Sequence, residues 1–440
     1  MATGTTIKLS TADAGVFHHK VRDDAARVGS ELLQRDMESH HIFFNEKGFH
    51  NHIVHHLLTL FSLGAAPEAL QDAYQRGNSY QRPVQPTDRD IVQELLEKKQ
   101  FKQYLGKEEH YPNFLSYFQR EIGAKGVQSV VNEHLFAGDD HADDLLIRMF
   151  AGVFHPIIHL GFGIEFNQPA IVAQALAQAA VHKDWPRPFL LGAENAAGGY
   201  GLRKGKPLSQ LIHEAGQDPT LVESAQWSDD HKILDGTLRR AFNEMCQKAS
   251  EYTVSEDALP EQVAEMINTN AYITAASQRP TKMIKFDFFL LHSLNCSIYF
   301  SAFLSCPWIS PKSKARLLEM KSRMDLLNYV SRHAPRLYLN EISDYPIKRN
   351  WEELFAAGIT DSQDDGHAVK FLRAIANGEQ ACKPYEDRAT QLGFMVQKDM
   401  WLKIGNMFIG SISHPGKSSR YINNSGFDES WEEVEGRPRM

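Results

Sequence analysis

The sequence predicts a mainly α protein, a large single-domain helical fold with long irregular connecting loops, and three observations predict it. Apolar residues recur at spacings of three and four through most of the long segments. No run alternates with period two, and no Asn-Gly or Asp-Gly turn joins two strand-like runs. Of the 440 residues 42% are hydrophobic and 23% charged, enough apolar material for a packed core and too little charge for a disordered chain.

In chain order, 1–50 reads as an N-terminal arm packing on the core, 51–410 as an all-α catalytic domain, and 411–440 as a C-terminal tail. The first helical pattern is 51–63. Residues 80–88, YQRPVQPTD, form an irregular link. Asp139 and Asp140 offer side-chain caps for a helix over 140–154 with Leu145, Leu146, Met149 and Val153 on one face. Pro156 is expected to push His155 out of helical geometry, so that its ring emerges from a break. Pro169 suits the first turn of the next helix, which continues through Val172, Leu176 and Ala180. Residues 183–208, rich in Gly and Pro, read as irregular, and helical patterns return at 230–252 and 260–276. The apolar stretch 288–304 reads as a buried helix. Pro311 opens a helix that should stop before His333-Ala334-Pro335, and 365–376 is the last pattern noted.

Several classes are excluded. A net charge of −8 without a basic stripe argues against a nucleic-acid partner. The 288–304 stretch carries His292, Ser293, Asn295 and Ser297, too polar for a membrane span. The four cysteines form no CxxC, and 1–17 lacks the apolar core of a signal peptide, so a reduced, cytoplasmic protein is expected. The glycines before Lys206 miss the phosphate-loop spacing, because Tyr200 stands where the first should be and Pro207 replaces Ser/Thr. Gly161-Phe162-Gly163 lacks the third glycine of a dinucleotide fingerprint and reads as a turn. No GxSxG or HExxH motif is present.

What stands out is 20 histidines. His18, His19, His40, His41, His182, His213 and His231 sit in polar sequence and read as surface residues. Others lie in apolar helical settings, where an imidazole is costly without a partner. His52 and His56 share a helix face, His155 and His159 flank Pro156, His292 lies within FFLLHSL, and His367 precedes Lys370 by one turn. Each taken singly fits a core histidine bonded to a carbonyl or carboxylate. Together they fit a mononuclear metal site, for which imidazole favours iron, copper, nickel or zinc. A di-iron carboxylate bundle needs Glu-x-x-His on two helices, and only 38–41 supplies one.

The segments NHIVHHLLTLFSLGA (51–65), FHPIIHLGFGIEFNQPAIVAQALAQAAVH (154–182), FFLLHSLNC (288–296) and DDGHAVKFLRA (364–374) resemble the questin oxidase-like family, in the same order and over most of the chain. The resemblance implies an oxygenase of aromatic polyketide metabolism that opens the central quinone ring of a hydroxyanthraquinone to a benzophenone-type product. It implies a mononuclear Fe(II) site of His52, His155, His292 and His367 with dioxygen as co-substrate. Lys370 is the fifth candidate ligand, as a carbamate formed with carbon dioxide, or alternatively a cation paired with an Asp or with substrate. His159 and His56 are candidate orienting or proton-donating residues, with Phe162, Trp308 or Trp351 as pocket walls. Two rivals stand beside this reading: an NADPH-dependent Baeyer–Villiger-type monooxygenase served by an external reductant, and a non-enzymatic α-helical binding protein. The expected partner is a small aromatic polyketide, with no membrane or nucleic acid, and a homodimer as the protein partner considered.

Overall fold

A computed structural model describes residues 1–202, 204–413 and 419–437. Parts of the tail assigned to 411–440 therefore lie outside the described residues. The protein is mainly α. Among the described residues β structure is limited to isolated bridges, such as Phe43 with His50 and Asp287 with Ile422. The chain divides into two compact units, one of 1–187, 305–309 and 358–373, the other of 188–304, 310–357 and 374–437 among the described residues.

In the first unit the arm carries a 17-residue helix, Asp23–Ser39, packed with Ile53–Ser62 and Pro67–Asn78. Pro169–Val181 packs against His155–Glu165 and Tyr111–Lys125. Gly161 and Gly163 are not a turn but lie inside His155–Glu165. A Cβ on Gly163 would stand 2.7 Å from the Val172 nitrogen, so the glycine lets two helices approach closely. The arm is anchored by a buried ion pair: Arg373 donates to Glu165 at 3.1 Å and to the Phe17 carbonyl, while the Val16 N–H donates to Glu165.

In the second unit Leu259–Ala276, Phe288–Leu304 and Pro311–Ser331 pack together. Ser310 caps the third by accepting from the Ser313 N–H, and the helix ends before His333 and Ala334, both at positive φ. Inside the packed layer Arg323 pairs with Glu319 at 2.9 Å and Lys321 with Asp325, so these fully buried charges are compensated. Two expectations are corrected here. The 183–208 segment holds a 10-residue helix, Arg187–Ala196, because Phe189, Leu190 and Ala193 bury one face. The 230–252 pattern is helical but interrupted at Ala241: a π-helical segment, Lys232–Thr237, runs directly into Leu238–Arg240, and a separate helix spans Phe242–Ser250. All four cysteines are buried and lie outside any disulfide. Among the described residues no single helix is long and apolar enough to cross a membrane.

Candidate metal centre

The first unit brings three of the expected ligands together. One nitrogen each from His52, His155 and His367 lie within 4.8 Å of one another, and all three residues are buried. His292 belongs to the second unit; it is fully buried and its Nδ1 donates to the Phe288 carbonyl at 2.6 Å.

Each ligand is set by local chain geometry. His52 is the N-terminal cap residue of Ile53–Ser62. The preceding Asn51 accepts from the Ile53 N–H at 2.9 Å and donates to buried Asp36 at 2.9 Å, which fixes the start of the helix. His155 is the first residue of its own helix, with helical φ −57° and ψ −42°. The break lies earlier than expected, at Gly152, Val153 and Phe154, all at positive φ, because Pro156 fits the first turn without strain. A Cβ on Gly152 would stand 2.6 and 2.7 Å from the rings of His182 and His50, so only glycine leaves room for them. His367 opens His367–Cys382 after Gly366, whose φ is +103°, and Asp364 accepts the Ala368 and Val369 N–H groups at 2.8 and 3.1 Å.

The second nitrogens are engaged. His155 Nδ1 donates to the Gly152 carbonyl at 2.6 Å, and His367 Nδ1 bonds Asp365 at 2.6 Å. Anchoring one ring nitrogen in this way orients the other toward a metal. His155 Nε2 lies 2.8 Å from His52 Nε2. With its Nδ1 proton spent on Gly152, His155 presents a lone pair there, and His52 meets it either as a donor or as a second lone pair on a shared cation. Burial, then the nearby His367 and Lys370, holds the His52 pKa well below that of free histidine, which favours the neutral, ligating form. Desolvation opposes the Asp365 charge, but the His367 partner outweighs it and holds the carboxyl well below its usual range.

Lys370 is buried, and its Nζ lies 3.5 Å from His55 Nδ1. Burial pushes its pKa down to about 8, against the opposing pull of Asp365 and Asp364. His55 Nε2 continues to His159 Nδ1 at 3.2 Å, and burial pushes His159 down to about 4. His56 stands 3.8 Å from Asp364 and faces a pocket of about 170 Å³ that also reaches His52.

Other neighbours are missed by the sequence reading. His50 stacks on His155 at 3.9 Å with rings 5° from parallel, and its Nε2 lies 2.8 Å from His182 Nε2. His182 is thus no free surface residue, and its pKa is pushed down to about 4 by burial and by Arg148. His41 is buried as well, against Tyr111 and Phe43. His40, half-buried, pairs with Asp36. The density of histidines over 50–56 and the Asp two positions before His367 were the available signals. The expected aromatic walls are also corrected. Phe162 stacks on His55 at 5.0 Å, Trp308 accepts from Asn132 through its carbonyl, and Trp351 donates to Glu379, whereas the pocket is lined by Tyr80.

The family model described as questin oxidase-like matches residues 49–375. The chain is 38% identical to the Baeyer-Villiger monooxygenase dmxR6 of Cryptosporiopsis sp., over 97% of each protein. It is 37% identical to a questin oxidase of Aspergillus terreus, over 99% of this chain and 98% of that one. It is 35% identical to the Baeyer-Villiger oxidase AgnL3 of Paecilomyces divaricatus, over 99% and 96%. A helical protein with a buried histidine cluster and relatives of this kind is an oxidoreductase, which sets aside the non-enzymatic binding protein. The chain belongs to the questin oxidase-like family.

Proposed function

We propose that this oxidoreductase cleaves the central quinone ring of a hydroxyanthraquinone to a benzophenone-type product, as a mononuclear non-haem Fe(II) dioxygenase of polyketide secondary metabolism. The observation that carries the reading is the convergence of His52, His155 and His367, with the far nitrogens of His155 and His367 already anchored. Buried imidazole ligands fit a borderline transition metal and not a hard ion such as magnesium. These three histidines, with Lys370 as the further candidate, would hold the iron. Iron(II) supplies redox activation of dioxygen and a template for the aromatic substrate.

The chain's own residues do the rest. Gly152 and Asp365 hold the tautomers of His155 and His367. Burial of the cluster excludes bulk water from the reacting centre. Lys370, lowered to about 8, has a larger neutral fraction than an exposed lysine and can take up carbon dioxide as a carbamate, which is a carboxylate on a long stem. His56, open to the pocket, is placed to pass a proton to a bound substrate, while His159 orients His55.

The test is metal analysis with anaerobic iron reconstitution and an assay on a hydroxyanthraquinone. Stoichiometric iron and chelator-sensitive ring opening are expected; full activity in chelator without iron would sink the iron reading. The carbamate is abandoned if bicarbonate fails to raise activity and Lys370→Glu loses all iron. A second reading, NADPH-dependent Baeyer–Villiger-type oxygen insertion on the same substrate class, is favoured by the names of two relatives. It predicts strict NADPH dependence with purified protein or an added reductase.

A further inference from the structure

Beside the histidine cluster, within the first unit, lies the pocket of about 170 Å³ lined in part by His52, His56, Arg76, Tyr80, Asp364 and Asp365. Arg76 sits in the last turn of Pro67–Asn78, half-buried, with its Nε out of solvent and bonded to nothing. Among the described residues no carboxylate lies within ion-pair distance of it. Gly77 holds this turn against the neighbouring helix, since a Cβ there would meet the Ile53 side chain at 2.8 Å. The two carboxylates of the pocket are turned to other partners: Asp364 to the Ala368 and Val369 N–H groups, Asp365 to His367. A guanidinium facing a pocket without an anion of its own is a recognition group for one.

We infer that Arg76 selects the aromatic substrate as its phenolate anion, pairing with an ionised ring oxygen while the rest of the molecule lies against Tyr80. This rests on the anthraquinone reading and deepens it. The pocket is smaller than the ~300–1,000 Å³ that encloses a drug-sized ligand, so it holds only part of a tricyclic aromatic. The remainder has a surface to meet. Tyr80 is 43% exposed, Phe44 packs edge-on against it at 5.1 Å, and Phe49, 56% exposed, lies 5.9 Å beyond Phe44. Such an aromatic rim continuous with the pocket stacks a planar ligand. Arg76 is a specificity residue here, acting on binding, and takes no part in oxygen chemistry.

The test is an anaerobic titration of purified protein with 2-hydroxyanthraquinone and with its methyl ether, read by visible absorption, which moves to longer wavelength when the phenol ionises. Wild type should bind the hydroxy compound about tenfold to a hundredfold more tightly than the ether, the scale of one charge-assisted hydrogen bond. The bound ligand should show the phenolate spectrum below its free pKa. Arg76→Gln should lose both the preference and the spectral change, and Arg76→Lys, which keeps the charge but not the fork, should retain part of each. A folded Arg76→Gln or Arg76→Lys protein that keeps the wild-type preference and full phenolate spectrum, the former with no loss, overturns the inference. Wild type that binds neither probe overturns the anthraquinone reading itself, a different result from binding that ignores Arg76.

Discussion

Asp365 and Gly152 show how much of the site is decided by residues that cannot be ligands. Each takes the Nδ1 of a candidate ligand at 2.6 Å, one through a carboxylate and one through a main-chain carbonyl. Replacing such a supporting partner costs about 10–100-fold in metal affinity in comparable sites. Asp365→Asn is therefore expected to weaken iron binding by that factor with the fold intact, measured by competition with a chelator. His155→Ala should go further. It removes one of the three converging nitrogens and leaves His52 Nε2 without its 2.8 Å partner and His50 without its stacking ring. Purified His155→Ala should contain less than about a tenth of wild-type iron and lose about 1–3 kcal/mol of stability, the penalty of an unsatisfied buried polar group. Unchanged metal content in that variant would remove His155 from the site.

At the scale of single elements, helix starts were legible and their three-dimensional use was not. Pro169, Pro311 and Asp139 mark helix beginnings by side-chain chemistry local to the sequence, and helices begin at Pro169, Pro311 and Asp140. Gly161 and Gly163 misled because a glycine that ends an element and a glycine that admits a neighbouring helix look alike in sequence. The 230–252 pattern is interrupted at Ala241, whose φ −136° and ψ 40° are not helical, although the apolar spacing runs on across it, since spacing does not register where the chain must turn. The turn before His367 gives a direct test. Gly366 holds φ +103°, and an added Cβ would stand 2.9 Å from the His56 Cβ. Gly366→Ala should cost about 1–3 kcal/mol through backbone strain and that clash, read by denaturant unfolding. A neutral result would mean the turn can refold around a side chain.

Over the molecule as a whole, burying histidines in neutral form makes stability depend on pH. Burial, helped by His141, holds His134 down at about 3, and burial alone is the main cause that takes His159 to about 4. In the unfolded chain such groups charge near pH 6.5, while in the folded chain they stay neutral until much lower pH. Between those limits the unfolded state binds more protons, so stability falls as pH drops from about 6.5 toward 4. Summed over these sites the loss is on the order of a few kcal/mol, and the thermal midpoint should drop markedly from pH 7 to pH 5. A flat profile across that window would mean these histidines are charged or solvated in the native state. By itself the sequence determined the mainly α class, the family, and which histidines deserved suspicion, because periodicity, capping and motif order are local properties of the chain. Only the tertiary structure decided that His50, His182, Asp365 and Arg76 stand with those histidines or at the pocket beside them. His50 and His182 meet across 132 positions, and Lys370 and His55 across 315, and contacts of such separation leave no periodic trace in sequence.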